Sequence, residues 1–136
     1  MSVQSLDGRK LQRGDRVPHF DVDQIDGTRA RYGDQWQMRN LVLLSLPDGD
    51  GVEYVDYATR LAERRAAIDA EQTALVLTRA PIPGVPRPGL VIADRWGEIY
   101  SVVDTRSASE LPTLDDLLEW LRYIQHACPE CEGEVK

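Results

Sequence analysis

Two short, almost uninterrupted apolar runs, residues 40–46 and 73–78, stand on either side of a helical stretch. A run of that length without polar alternation suits a strand covered on both faces. Two such strands joined through a helix are expected to be parallel neighbours connected by a right-handed crossover. Everything else in the chain has to be arranged around that unit.

Before it, residues 19–25 alternate, with Phe20, Val22 and Ile25 on one side and Asp21 and Asp23 on the other. Asp26-Gly27 is a strong hairpin signal, and residues 28–32 form the returning strand. His19 reads as a solvent-side residue of the first strand. The crossover helix is expected over residues 52–70, with Val52, Val55, Ala58, Leu61, Ala62 and Ile68 on its inner face. Residues 79–88 hold four prolines in ten positions and must form a loop. Residues 89–93 and 98–103 read as a second hairpin across Asp94-Arg95-Trp96-Gly97. The last helix is expected to be capped by Thr113, to carry Leu114, Leu117, Leu118, Leu121 and Ile124 as its apolar stripe, and to end near residues 125–127. Trp36, Trp96 and Trp120 read as packing anchors.

The chain is 136 residues long, which suits one domain with a real core. Residues 1–11 read as an N-terminal extension, 12–127 as the domain and 128–136 as a tail. The net charge of −7 argues against nucleic acid or an anionic membrane as partner. The polar N-terminus has no signal-peptide core, and the longest apolar stretch is far too short for a membrane span, so the expected compartment is the cytoplasm.

The only two cysteines, Cys128 and Cys131, form a Cys-Pro-Glu-Cys run in the tail. Such a pair can be a redox dithiol or half of a zinc site. Against the dithiol, it follows a helix C-terminus, whose dipole disfavours a thiolate, and Glu130, Glu132 and Glu134 add like charge. Against zinc as a closed site, two ligands of four are missing, although two chains could pool four thiolates across a homodimer. The plain alternative is a tail with two incidental thiols. Asp48-Gly49-Asp50-Gly51 after an apolar strand offers a weaker reading as a magnesium-dependent phosphatase of the haloacid dehalogenase kind, with Thr78 as a second motif, but no lysine stands between Lys10 and Lys136 to complete it.

Three stretches carry a resemblance to a known family. They are Gly14 to Phe20 followed by Asp26-Gly27, residues 40–47, and Pro88 through Asp94 to Gly97. Their order and spacing are similar to the thioredoxin-like superfamily, and within it to the peroxiredoxins of the alkyl hydroperoxide reductase/thiol-specific antioxidant type. The resemblance spans residues 12–126. It implies a thioredoxin-like mixed sheet with an N-terminal β-hairpin and flanking helices, trimmed where residues 79–88 are too short for the usual third helix. It also implies a cis peptide bond at Arg87-Pro88, a substrate rim to which Tyr54, Glu53, Arg87 and Pro88 would belong, and a redox partner protein. The family's reactive cysteine lies at the start of the helix after the first core strand. The matching residues here, 47–57, contain no cysteine, so thiol chemistry would fall to Cys128 and Cys131. The rival expectation is a non-catalytic binding or oligomerisation domain whose CxxC tail binds zinc.

Overall fold

The computed structural model describes residues 10–47, 51–105 and 107–126. Six residues, Asn40–Ser45, form strand β3, and every one of them is buried. Their near-continuous apolar character follows from their position, because β3 has a strand on each side and a packed layer on each face. On one side it pairs in parallel with β4 (Thr73–Thr78), Leu41 facing Ala74. On the other it pairs antiparallel with β5 (Gly89–Ala93), Val42 facing Ile92. β6 (Ile99–Asp104) closes the hairpin, giving a four-stranded sheet in the order β4-β3-β5-β6. The parallel pair, its crossover and the later hairpin are as the sequence leads one to expect.

Side chains alternate between two cores. Val42, Leu44, Leu46, Leu90 and Ile92 face the helices, and Leu41, Leu43, Val76 and Val91 face Phe20, Tyr32 and Ile82.

The crossover consists of α1 (Val52–Glu63) and α2 (Arg65–Asp69), not of one helix over residues 52–70. At Arg64 the backbone leaves helical geometry, and the ladder restarts with the Ala67 N–H donating to the Arg64 carbonyl at 3.0 Å. The bend still brings Ile68 fully into the core, and it places Arg65 beside β4, where its Nη1 donates to the Leu75 carbonyl at 3.1 Å.

The inner face of α1 also differs from expectation. Tyr54, Tyr57, Ala58 and Leu61 are buried, whereas Val52, Val55 and Ala62 are exposed. Both sets have the spacing of a helical stripe. Ala58 and Leu61 belong to both, and the two tyrosines remove more apolar area from water than Val52, Val55 and Ala62 would, so the helix rotates to bury them.

Helix α3 (Leu114–His126) buries Leu117, Leu118, Leu121 and Ile124, while Leu114 is only half-buried. The Thr113 Oγ1 accepts from the Asp116 N–H at 3.1 Å, the expected N-cap bond.

The N-terminal hairpin is present but short, with β1 (Asp21–Asp23) paired to β2 (Arg29–Arg31). Asp26 Oδ1 accepts from the Thr28 N–H at 2.9 Å and Thr28 Oγ1 at 2.6 Å, and Gly27 takes φ +92°, which a side chain would oppose. Beyond the hairpin, Tyr32 opens a 3-10 turn that buries its ring, and Ile25, expected on the inner side, is exposed. His19 is exposed, as expected, with its ring edge-on to Tyr32 and Trp36. Trp120 packs partly against the helix-side core, whereas Trp36 is exposed, its Nε1 donating to the Trp96 carbonyl at 3.3 Å. Residues 79–88 contain no helix, so the connection from β4 to β5 is indeed a trimmed one. Among the described residues no helix is long and apolar enough to cross a membrane.

Candidate functional site

The end of β3, the start of α1 and the loop before β5 meet at one edge of the sheet. The register sets Ser45 opposite Thr78 on one side and Gly89 on the other, so Pro88 lies across from Leu46. The Arg87–Pro88 peptide is cis, as the resemblance implies. Its immediate support is tight. A Cβ on Gly89 would stand 2.6 Å from the Pro86 carbonyl oxygen and 2.8 Å from that of Val103. The Thr105 N–H closes the far side on the Pro88 carbonyl at 3.5 Å.

Arg87 is exposed, and its Nη1 donates to the Arg79 carbonyl at 2.7 Å, bracing the proline-rich loop across its neck. Tyr54 is only 6 % exposed and packs into the helix-side core. A Cβ on Gly51 would touch both Pro47 and Tyr54, at 3.2 and 3.5 Å, which places Tyr54 directly beneath the turn into α1. Glu53 is exposed. The structure thus brings Pro88 and Arg87 to the surface of one loop and sets Tyr54 under the facing turn.

No accessible nucleophile stands among the described residues of this rim. Tyr57 lies one turn further along α1, and its Oη donates to the Pro112 carbonyl at 2.7 Å. Burial pushes its phenol up to about 12, against a small opposing effect of the Arg60 charge, so it stays neutral. Ser45 is fully buried, and its Oγ has no hydrogen-bond partner. Thr78 is also fully buried, and its hydroxyl is already spent on two contacts. It donates to the Asp23 carbonyl at 2.7 Å and accepts from the Ala80 N–H at 3.0 Å, so it serves the hairpin and not a phosphate.

Cys128 and Cys131, and likewise Asp48 and Asp50, lie outside the described residues. Helix α3 ends at His126, two positions before Cys128, with the His126 Nδ1 2.8 Å from the Arg122 carbonyl. Among the described residues no group of three or more His, Cys, Asp or Glu side chains could hold a metal ion.

A parallel β3–β4 pair with a helical crossover, an antiparallel β5–β6 hairpin beside it and a cis-proline at the strand start define a thioredoxin-like fold of the peroxiredoxin or redoxin type. Solved structures agree. The reduced 2-Cys peroxiredoxin of Plasmodium vivax superposes with a TM-score of 0.66 at 11% identity, over 85% of this chain and 83% of that one. A yeast mitochondrial 1-Cys peroxiredoxin gives 0.65 at 11% identity, over 85% and 76%. The thioredoxin domain of a Bacteroides vulgatus thiol-disulfide oxidoreductase gives 0.58 at 13% identity, over 85% and 99%. No family model matches the chain, and no curated protein does.

Sequence reasoning missed two features of the site. The orphaned Ser45 hydroxyl gave only the faint signal of one polar residue inside an apolar strand. The bond from Tyr57 to Pro112 had none, because it joins residues 55 positions apart.

Proposed function

We propose that this chain is a thiol–disulfide oxidoreductase of thioredoxin-like fold that acts on the disulfide of a partner protein through Cys128 and Cys131. The observation that supports this reading is the chemistry of the rim. The first turn of α1 offers no thiol, and the chain's only two thiols stand together in the tail. One thiolate attacks the partner disulfide, forming a mixed disulfide and expelling a partner thiolate that takes up a proton. The second cysteine, deprotonated in turn, attacks the bridging sulfur, closes the Cys128–Cys131 bond and releases the other partner thiol. The partner disulfide gains two electrons, and a dithiol reductant restores the pair for the next cycle. Pro88 and Arg87 are the surface against which the partner segment rests, with Tyr54 supporting the facing turn.

Glutamates beside the pair in sequence and a preceding helix C-terminus both disfavour a thiolate, so on this reading the rate should keep rising past the ordinary cysteine range near pH ~8.5. The test is reduction of insulin disulfides in the presence of dithiothreitol. The wild type should accelerate it, and Cys128→Ser or Cys131→Ser should remove the acceleration. Equal rates for wild type and both variants would end this reading.

A second reading is favoured by the position of the pair. The carboxyl end of α3 carries partial negative charge, which favours a cation beside it. In this reading the chain is a binding or oligomerisation domain, and the tails of two copies share one zinc through four thiolates. Zinc content of the purified protein, with sedimentation before and after chelation, separates the two. One zinc per pair of chains and dissociation on chelation support the zinc reading, and a metal-free monomer with two titratable thiols rejects it.

A further inference from the structure

The core-facing stripe of α3, Leu117, Leu118, Leu121 and Ile124, leaves a flanking face of the same helix open to solvent. On it stand Asp116, Glu119, Trp120 and Tyr123, each carboxylate one helical turn before an aromatic ring. Trp120 is half-buried against the helix-side core, whereas Tyr123 is 55% exposed. The two rings stand nearly perpendicular, at 84° with their centroids 6.1 Å apart. Tyr123 also meets the ring of Tyr100 on β6 at 73° and 6.2 Å, so the exposed ring is braced from two elements.

An open groove of about 430 Å³ runs along this face, lined by these four side chains and, from the segment before β1, by Arg13. Two perpendicular rings enclose a corner in which a cation can lie against both π faces at once. Two carboxylates against one guanidinium leave the lining one charge negative, and among the described residues none of the three is in an ion pair. A metal ion does not match, because among the described residues no three His, Cys, Asp or Glu side chains gather to hold one. A primary ammonium matches poorly too, since it is strongly hydrated and ring faces replace its N–H acceptors badly. A methylated ammonium spreads its charge over methyl groups and suits an aromatic corner with carboxylates nearby.

We propose that this groove binds a methylated ammonium group, free or carried on a protein side chain, in the corner between Trp120 and Tyr123. The methyl groups pack on the two ring faces, and Asp116 and Glu119 supply the counter-charge through space. Tyr123 contributes its ring and not its hydroxyl. Arg13 carries the one repulsive charge of the lining, so its removal should tighten binding. The site is independent of Cys128, Cys131 and the Pro88 rim.

The experiment is an NMR titration of the full chain with choline and with blocked trimethyl-lysine, following the indole N–H signals. The reference ligand is the uncharged carbon analogue of choline, in which a tert-butyl group replaces the trimethylammonium. Both cations should bind with millimolar Kd and shift the Trp120 signal while leaving those of Trp36 and Trp96 in place. The tighter of the two identifies the source as a free cation or a chain-borne one. The uncharged analogue should bind about fivefold more weakly than choline. Tyr123→Leu, at an exposed position, should weaken choline by a similar factor, whereas Tyr123→Phe should keep its affinity. Glu119→Gln should weaken it about twofold, and Arg13→Gln should tighten it. The proposal is overturned if neither cation shifts the Trp120 signal, if the uncharged analogue binds as tightly as choline, which would mark apolar contact only, or if Tyr123→Leu leaves the affinity unchanged.

Discussion

Tyr57 Oη donates to the carbonyl oxygen of Pro112 at 2.7 Å, tying the middle of α1 to the turn that enters α3. The phenyl ring of that tyrosine sits in the helix-side core, so its apolar and polar ends hold different parts of the fold. Tyr57→Phe keeps the ring and removes the bond. It should cost about 1 kcal/mol in urea unfolding with an unchanged m-value. A loss of less than ~0.3 kcal/mol would mean that water replaces the tyrosine at Pro112 without penalty.

Alkaline pH should unfold the protein through two buried phenols. Burial pushes Tyr57 up to about 12, and burial with the nearby Asp94 carboxylate does the same to Tyr32, against an opposing Arg16. In both, the folded state favours the neutral form. Their stabilisation is therefore fully present below the unfolded value near pH ~10 and is lost as pH rises through about 12, by roughly 2 kcal/mol for each tyrosine. Denaturant midpoints should be flat from pH 8 to 9.5 and fall steeply above it. Absorbance at the phenolate band should show two of the five tyrosines ionising only as the protein unfolds. All five ionising near pH ~10 while the protein stays folded would contradict the burial argument.

Gly89 begins β5 between two backbone carbonyls that leave no room for a methyl group. Both obstacles are main chain, so neither can rotate aside. Gly89→Ala should destabilise by about 1–3 kcal/mol and lower Tm accordingly. Gly33, in the 3-10 turn, would have nothing within 4 Å of an added methyl and serves as the control, with Gly33→Ala changing stability by less than ~0.5 kcal/mol.

Ser45 presents the opposite case. Its hydroxyl is fully buried and unpartnered, so the fold carries a desolvated group with no return. Ser45→Ala should leave thermal stability unchanged or raise it by up to ~1 kcal/mol. A loss above ~1 kcal/mol would reveal a bound water satisfying the hydroxyl.

Strands were legible where burial left a single option. Thr73–Thr78 and Gly89–Ala93 match expectation residue for residue, because a fully covered strand must be apolar along its whole length. Helix α3 was legible because its cap and its one leucine stripe agree. Helix α1 was not, because two stripes of helical spacing overlap in the same twelve residues, and only packing against β3 decides between Val55 and Tyr57. The bend at Arg64 has no local signal, since neither glycine nor proline marks it. Of the rim, the Arg87–Pro88 bond and the surface position of Arg87 were readable, whereas the depth of Tyr54 was fixed by the same helix rotation.

The place of β3 also sets a timetable for synthesis. It is one of the two inner strands of the four-stranded sheet, yet both of its neighbours are encoded later. At ~5–20 residues per second a ribosome finishes residue 45 on the order of seconds before residue 93 emerges. During that interval the most water-averse segment of the chain waits with two unpaired sides. The nascent protein is most exposed to mispairing then, and a delay between residues 46 and 73 would lengthen that exposure more than one anywhere later.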